Sequence, residues 1–462
     1  MITRHYIDVV KDASKRRIHY RKSGSGPPLL MVHQSPRSSK EYEALMEKWS
    51  GYFTCIAPDT PGFGQSDPWD GNPEINGFAD AIIEFLDAIG IQKCAAYGFH
   101  SGGIILVTAI KRHPNRFAAL AVGGYAIWSE EEVALFSEKY LPAFYPSAYG
   151  EHLTWLWNRI LEQTWFFPWF ATDGEHRLSV AHDDPQRVDA VIRDMLDAGN
   201  AYQAGYGAVL RAPRDIPAVD ANVPPCLISA YDGDPLQDHI ARLGEMPPSW
   251  SARKVANPEE HQTVSLAHLL EADRTALPKL KEANDEGFVG VKTDRFTGLI
   301  HWHGSRGASN LVLHAPGSAI DRSISGDNIA IDLPGHGLSD NWTGEPPSTW
   351  DGWQAVVDQV AVKLAAKSIV FADLPTGDPD RLYPDLSPDR FGNYLTKAWQ
   401  IVRSAEIFKP WYKADKNHTR AFDTTALLPE RLAKQHLDLL NARAAKHYHL
   451  ALESRQRSDH GN

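Results

Sequence analysis

Residues 1–285 predict an α/β unit, a mainly parallel sheet with helices on both faces, and a shorter, degraded second copy follows it. Three observations carry this reading. Short apolar strands alternate with helical segments. Each early strand breaks into a loop rich in glycine, proline and polar residues. Two stretches of the first part recur in the second.

The elements follow in order. RRIHYRKS (16–23) and PPLLMVHQS (27–35) are strands separated by a Gly-Ser-Gly turn, and a helix follows around Glu41–Lys48. YFTCIAPD (52–59) is the next strand and ends in the turn Pro61-Gly62-Phe63-Gly64. Phe78, Ile82, Phe85, Leu86 and Ile89 lie at helical spacing. KCAAYG (93–98) is a strand that breaks into Phe99-His100-Ser101-Gly102-Gly103 and a helix, IILVTAIKRH; FAALAVGG (117–124) is the strand after it. From 129 to 213 the pattern changes to helices rich in aromatics, including Trp155, Trp157, Trp165, Phe166, Phe167, Trp169 and Phe170. This segment has the character of a cap inserted in the α/β unit. Strands return at Pro225–Ala230 and near Ser251–Ala256, and a helix is expected over 262–283.

The repeat sets the domain plan. DTPGFGQSDPW (59–69) and DLPGHGLSDNW (332–342) agree at seven of eleven positions without a gap. GEHLTWLWNRILEQTWFFPWF (150–170) aligns without gaps to GNYLTKAWQIVRSAEIFKPWY (392–412), with Gly150/Gly392, Leu153/Leu395, Thr154/Thr396, Trp157/Trp399, Phe166/Phe408, Pro168/Pro410 and Trp169/Trp411 identical. The expected plan is therefore an α/β core in two parts, 1–128 and 214–285, with a helical cap over 129–213. A truncated second copy with cap-like helices covers 289–453, and a disordered tail covers 454–462. The second copy has Leu374 where the first has His100, and no counterpart of the acid loop or of the late histidine, so no chemistry is expected there. The repeated cap suggests that the second copy packs on the first as a homodimer partner would, an intramolecular pseudo-dimer.

Composition narrows the class. The 462 residues are 43% hydrophobic and 23% charged, as in ordinary globular proteins, and the net charge is −11. That balance disfavours sequence-independent nucleic-acid binding, which needs a basic face. No apolar run is long enough to span a membrane, and the polar start has no signal-peptide core, so no membrane partner is expected. Cys55, Cys94 and Cys226 each sit in an apolar strand, without a CxxC pattern or disulfide framework, which favours buried thiols and a cytoplasmic location.

The loop after the strand KCAAYG decides the chemistry. A tight strand-to-helix turn crowds the residues two before and two after its apex, so both want to be glycine. With His100 at the apex they are Gly98 and Gly102; with Ser101 they are Phe99 and Gly103, and Phe99 clashes. Histidine also tolerates positive φ better than most residues. His100 is thus preferred over Ser101.

The set HQSP, DTPGFGQSD and Gly98-Phe99-His100-Ser101-Gly102, in this order and spacing, resembles the α/β-hydrolase superfamily over residues 15–283 and, weakly, over 289–453. The resemblance implies an α/β-hydrolase fold with a helical cap. It also implies a nucleophile elbow occupied by histidine, an acid in the loop CLISAYDGDPL, and a histidine in the last loop before the final helix. The acid is Asp234, with Asp232 as the alternative. The histidine is His261, with His268 as the alternative inside the helix. The oxyanion hole falls to the backbone N–H groups of Ser101 and Ser35, with Gln34 close by in place of the family's usual glycine. A small-molecule substrate is implied, without cofactor, and His100, His261 and Asp234 lack recognisable metal-ligand spacing.

Three functions remain open at this point. One is hydrolysis of an ester, lactone or activated C–C bond of a small, partly apolar molecule, with His100 as nucleophile or as acid–base and His261 activating water, oriented by Asp234. The second is a lyase, isomerase or cofactor-free decarboxylase on the same fold. The third is a catalytically inactive ligand-binding protein.

Overall fold

The computed structural model describes residues 1–11, 14–179, 181–421 and 424–460. The chain divides into two units, Met1–Tyr145 with Asn158–Glu282, and Pro146–Trp157 with Ala283–Asn462.

The first unit is built on eight strands: β1 (Thr3–Lys11), β2 (Ser14–Ser23), β3 (Pro28–Val32), β4 (Thr54–Pro58), β5 (Cys94–Phe99), β6 (Phe117–Gly123), β7 (Cys226–Tyr231) and β8 (Trp250–Val255). They form one sheet in the order β1-β2-β4-β3-β5-β6-β7-β8. β1 and β2 pair antiparallel, as do β2 and β4, and every later pair is parallel. The central strands β3 and β4 are buried along their whole length. Strands covered on both faces read as continuous apolar runs, which is why the sequence shows them plainly. β1 is the strand that sequence reading missed. It lies at the sheet's edge, its apolar residues Tyr6, Ile7 and Val9 are diluted by charged neighbours, and its partner is the hairpin strand β2.

Between β6 and β7 lie the helices Glu130–Lys139, Glu151–Gln163, Pro185–Ala198 and Ala201–Leu210. After β8 the helix Pro258–Leu270 closes the α/β pattern. The helix expected over 262–283 therefore begins earlier and ends earlier. Asn257 caps it by accepting from the Glu260 N–H at 2.9 Å, and Pro258 occupies its first turn, so Asn-Pro-Glu-Glu is a start signal.

Among its described residues the second unit has five strands: β9 (Glu286–Lys292), β10 (Thr297–Gly304), β11 (Asn310–Leu313), β12 (Asn328–Ile331) and β13 (Ser368–Phe371). Their sheet order is β13-β11-β12-β10-β9. Read from β9, this is the order of β1, β2, β4, β3 and β5, with antiparallel and parallel pairings in the same places. It stops where the first sheet continues into β6, β7 and β8. Local networks correspond as well. His19 Nδ1 meets Asp59 Oδ2 at 2.8 Å in the first unit, and His301 Nδ1 meets Asp332 Oδ2 at 2.8 Å in the second. Ser66 and Ser339 each donate to the main-chain carbonyl of their aspartate and accept from the N–H of their histidine.

Within the second unit, Pro146–Trp157 packs on the helix Asn393–Ile407 by a reciprocal contact. A Cβ on Gly150 (φ +85°) would stand 2.9 Å from Trp399, and one on Gly392 (φ +71°) would stand 2.4 Å from Trp157. Each glycine makes room for the other segment's indole. The expected disordered tail from 454 is corrected: the helix Ala445–His460 runs through it, with Ala451 and Leu452 buried, and Gly461 and Asn462 lie outside the described residues. No helix among the described residues is long and apolar enough to cross a membrane.

Candidate active site

His100 sits at the turn between β5 and the helix Ser101–Arg112 with φ +47° and ψ −116°. Steric crowding holds it there. A Cβ on Gly98 would come within 2.6 Å of Gly102 main-chain carbon, and one on Gly102 within 1.9 Å of the Val32 carbonyl oxygen. Only two glycines flanking the apex let the strand, the turn and the helix meet. The apex is thus His100, and Ser101 is the first helical residue.

His100 Nε2 lies 3.0 Å from Asp234 Oδ1. A carboxylate only accepts, so Nε2 carries the proton and Nδ1 is the basic nitrogen of the neutral ring. Asp234 is 5% exposed, and its Oδ1 also accepts from Leu236 N–H at 2.8 Å. Burial raises the Asp234 carboxyl, but the adjacent His100 and the Leu236 N–H outweigh it and hold the group below its ordinary value. The alternative acid, Asp232, is exposed and takes a hydrogen bond from Gln237.

The expected pairing of Asp234 with His261 is corrected. His261 lies in the first turns of the helix Pro258–Leu270 rather than in a loop, and is 2% exposed. Its Nδ1 meets Ser229 Oγ at 2.8 Å and its Nε2 meets the Tyr97 hydroxyl at 2.9 Å. The Phe99 ring contacts both histidines, stacking on His100 at 4.1 Å and meeting His261 edge-on at 5.7 Å. With both nitrogens engaged in the core, His261 makes no hydrogen bond to the Asp234 carboxylate and acts on it through charge alone. His268 lies further along the same helix.

Burial pushes His261 down to about 4, helped by His100 and opposed by Asp234. The folded protein therefore holds this ring neutral where an unfolded chain, titrating near 6.5, protonates it. Its contribution is fully present above about pH 6.5 and is lost as pH falls toward 4, at most about 3 kcal/mol. Urea unfolding of wild type and His261→Gln between pH 7.5 and 4 checks this: the variant should lose that share of the acid slope, and equal slopes would refute it.

The expected oxyanion donors are also rearranged. The Ser35 N–H is already given to Ser101 Oγ, at 2.5 Å. Gln34 is clamped to the carboxylate of half-buried Glu41 through its main-chain N–H (2.7 Å) and its side-chain amide (2.9 Å). Gln34, Ser35, His100 and Ser101 form the polar side of a cavity of about 150 Å³. Its other walls include Trp128, Tyr140, Gln163, Phe167, Leu178, Tyr206 and Leu236. Trp155, Trp157, Trp165 and Trp169 do not line it: Trp165 and Trp169 give their indole N–H to the His182 and Tyr140 carbonyls, and Trp157 belongs to the second unit.

Residues 27–212 match the model of the α/β hydrolase fold family. The first unit has the α/β-hydrolase fold. Haloalkane dehalogenase 2 of Mycobacterium bovis is 28% identical over 223 residues, covering 47% of this chain and 75% of that protein. The 2-(acetamidomethylene)succinate hydrolase of Mesorhizobium japonicum is 29% identical over 128 residues, covering 28% of this chain and 46% of that one. Among solved structures, an esterase from Thermogutta terrifontis is 18% identical with a TM-score of 0.42, covering 56% of this chain and 96% of its own. In this α/β-hydrolase unit the polar groups gathered at the elbow are His100, Asp234 and Ser101. Among the described residues no group of three or more His, Cys, Asp or Glu side chains is placed to hold a metal ion.

Proposed function

We propose that the first unit is a hydrolase for an ester, lactone or activated C–C bond of a small, partly apolar molecule, worked by the pair His100–Asp234. The observation that carries this reading is the 3.0 Å contact between His100 Nε2 and the buried Asp234 carboxylate, made at the strained apex beside the cavity. In the superfamily's plan the acid orients a histidine and the histidine serves a nucleophile. Here the imidazole stands at the nucleophile's place and takes the acid directly, so the relay is one member shorter.

With His261 engaged by Tyr97 and Ser229, one base remains. His100 Nδ1 removes a proton from water as its oxygen attacks the carbonyl, and Asp234 stabilises the imidazolium. The proton then passes to the leaving oxygen or carbon as its bond to the carbonyl breaks. The Ser101 hydroxyl, which accepts from Ser35 N–H, has its own proton to give to the developing oxyanion, beside the Ser101 N–H at the helix start. The named relatives are hydrolases, which supports the same reaction class.

A lone imidazole–carboxylate pair also suits proton transfer in a lyase or isomerase, and isotope labelling separates the two. Turnover of small aryl esters in ¹⁸O-water is expected to place solvent oxygen in the acid product. His100→Ala should remove that activity, while Ser101→Ala should lower it about 10²-fold, the typical loss for one oxyanion donor. Activity that survives His100→Ala in a folded protein would sink the proposal.

The second unit is proposed to be a degraded copy without chemistry of its own. Supporting this are the shared strand order and the loop after β13, which has Leu374 in place of His100. The reciprocal Gly150–Trp399 and Gly392–Trp157 contacts support the reading that it gives the first copy's cap segment the partner a second subunit would give.

A further inference from the structure

Arg159 is 2% exposed, in the buried face of the helix Glu151–Gln163. Its Nη1 donates to Gln163 Oε1 at 2.8 Å. Its Nε and Nη2 are buried and meet no hydrogen-bond acceptor among the described residues. No carboxylate among the described residues pairs with it. The guanidinium lies 5.3 Å from the centre of the Trp169 ring and 6.0 Å from that of Tyr140. Tyr140 and Gln163 both line the cavity that holds His100, and Arg159 stands behind these two residues without lining it. A buried charge without a counter-ion is costly, and aromatic rings compensate it in part only.

The two unsatisfied nitrogens are informative in themselves. Nε and Nη2 occupy one side of the planar guanidinium and present two parallel N–H groups, the fork that a carboxylate takes up bidentately.

The second copy supplies an internal control. In the gap-free alignment Arg159 corresponds to Ile401 and Gln163 to Ala405. Ile401 is buried, as are its helix neighbours Leu395, Ala398, Trp399 and Val402, which match Leu153, Leu156, Trp157 and Ile160. Packing at this helix position is thus met by an aliphatic side chain. The arginine and its glutamine occur in the copy that has His100 and Asp234, and not in the copy that lacks them.

We propose that Arg159 is the carboxylate-recognition group of the His100 cavity, and that the substrate is a small carboxylate with an apolar or aromatic body. Gln163 positions the guanidinium, the Nε–Nη2 edge receives the carboxylate, and the aromatic walls take the body. A cavity of this size takes a benzene-sized group. The role of the bound molecule as substrate rests on the hydrolase reading above; the recognition of a carboxylate does not.

Titration calorimetry on the full chain tests it, with phenylacetate and its neutral isostere phenylacetamide as probes. Wild type is expected to bind phenylacetate tighter by on the order of ten- to a hundredfold, as charge-assisted hydrogen bonds give. Arg159→Ile, which installs the second copy's residue, should erase that preference and raise Tm in the absence of ligand, because it removes an uncompensated buried charge. Arg159→Lys, which keeps charge without the fork, should fall between the two. His100→Ala should keep the preference, so a failure of the hydrolase reading leaves this result intact. Equal binding of the two probes by wild type, no phenylacetate binding at millimolar concentration, or a lowered Tm in Arg159→Ile would each overturn the assignment.

Discussion

Asp234→Asn is expected to lower turnover by about 10³–10⁴-fold without unfolding the protein, the size of loss seen when the carboxylate behind a catalytic imidazole becomes an amide. Three features set the expectation. The carboxylate is buried and held ionised by His100, so it is charged across the neutral range. It fixes the imidazole proton on Nε2 and leaves Nδ1 basic. Because His100 Nε2 and Leu236 N–H both address Oδ1, the amide keeps its oxygen there, which retains the hydrogen bond to His100 but not the charge that stabilises an imidazolium. Folding survives because the asparagine oxygen still accepts from Leu236 N–H, now 2.8 Å from Asp234 Oδ1. The measurement is kcat/KM on an ester that wild type cleaves, with circular dichroism as the check on folding. A loss smaller than about tenfold would show that Asp234 orients nothing of consequence to the chemistry.

Gly102→Ala is expected to remove folded first unit altogether. The added methyl would stand 1.9 Å from the Val32 carbonyl oxygen, 2.7 Å from the Val32 carbonyl carbon and 2.8 Å from the His33 oxygen. These are main-chain atoms at the end of β3, which is paired on both sides, so no flexible side chain can yield. Such an overlap belongs with the exceptional substitutions that cost more than about 4–5 kcal/mol, a large part of a domain's whole stability. Gly51→Ala is the matched control, since nothing lies within 4 Å of a Cβ there. Soluble yield and thermal unfolding of the two variants should differ sharply. If Gly102→Ala melts like wild type, the elbow is looser than its geometry indicates.

The elbow was legible in the chain because its constraint is local. A strand-to-helix turn this tight needs glycine two before and two after its apex, and Gly98 and Gly102 single out His100 over Ser101. The resemblance named Asp234 with Asp232 as the alternative, and the difference between them, one buried and one exposed, came from the structure. The strand order of the second unit was foreshadowed by the paired motifs at Asp59 and Asp332, because each motif makes the same local hydrogen bonds. The edge strand β1 was not visible, since a strand with one neighbour carries a diluted apolar pattern.

What the sequence by itself determined is therefore the fold class and the residue at the apex of the turn, the latter fixed by glycine spacing along a few residues. What only the tertiary structure decided is how separate segments meet. It put Phe99 against both His100 and His261 and gave His261 to Tyr97 and Ser229. It committed Ser35 N–H to Ser101 Oγ, and left Arg159 buried without a counter-ion behind Tyr140 and Gln163. Each of these depends on which polar atom finds a partner across the fold. That is a matter of distances between residues tens to hundreds of positions apart, on which local spacing has no hold.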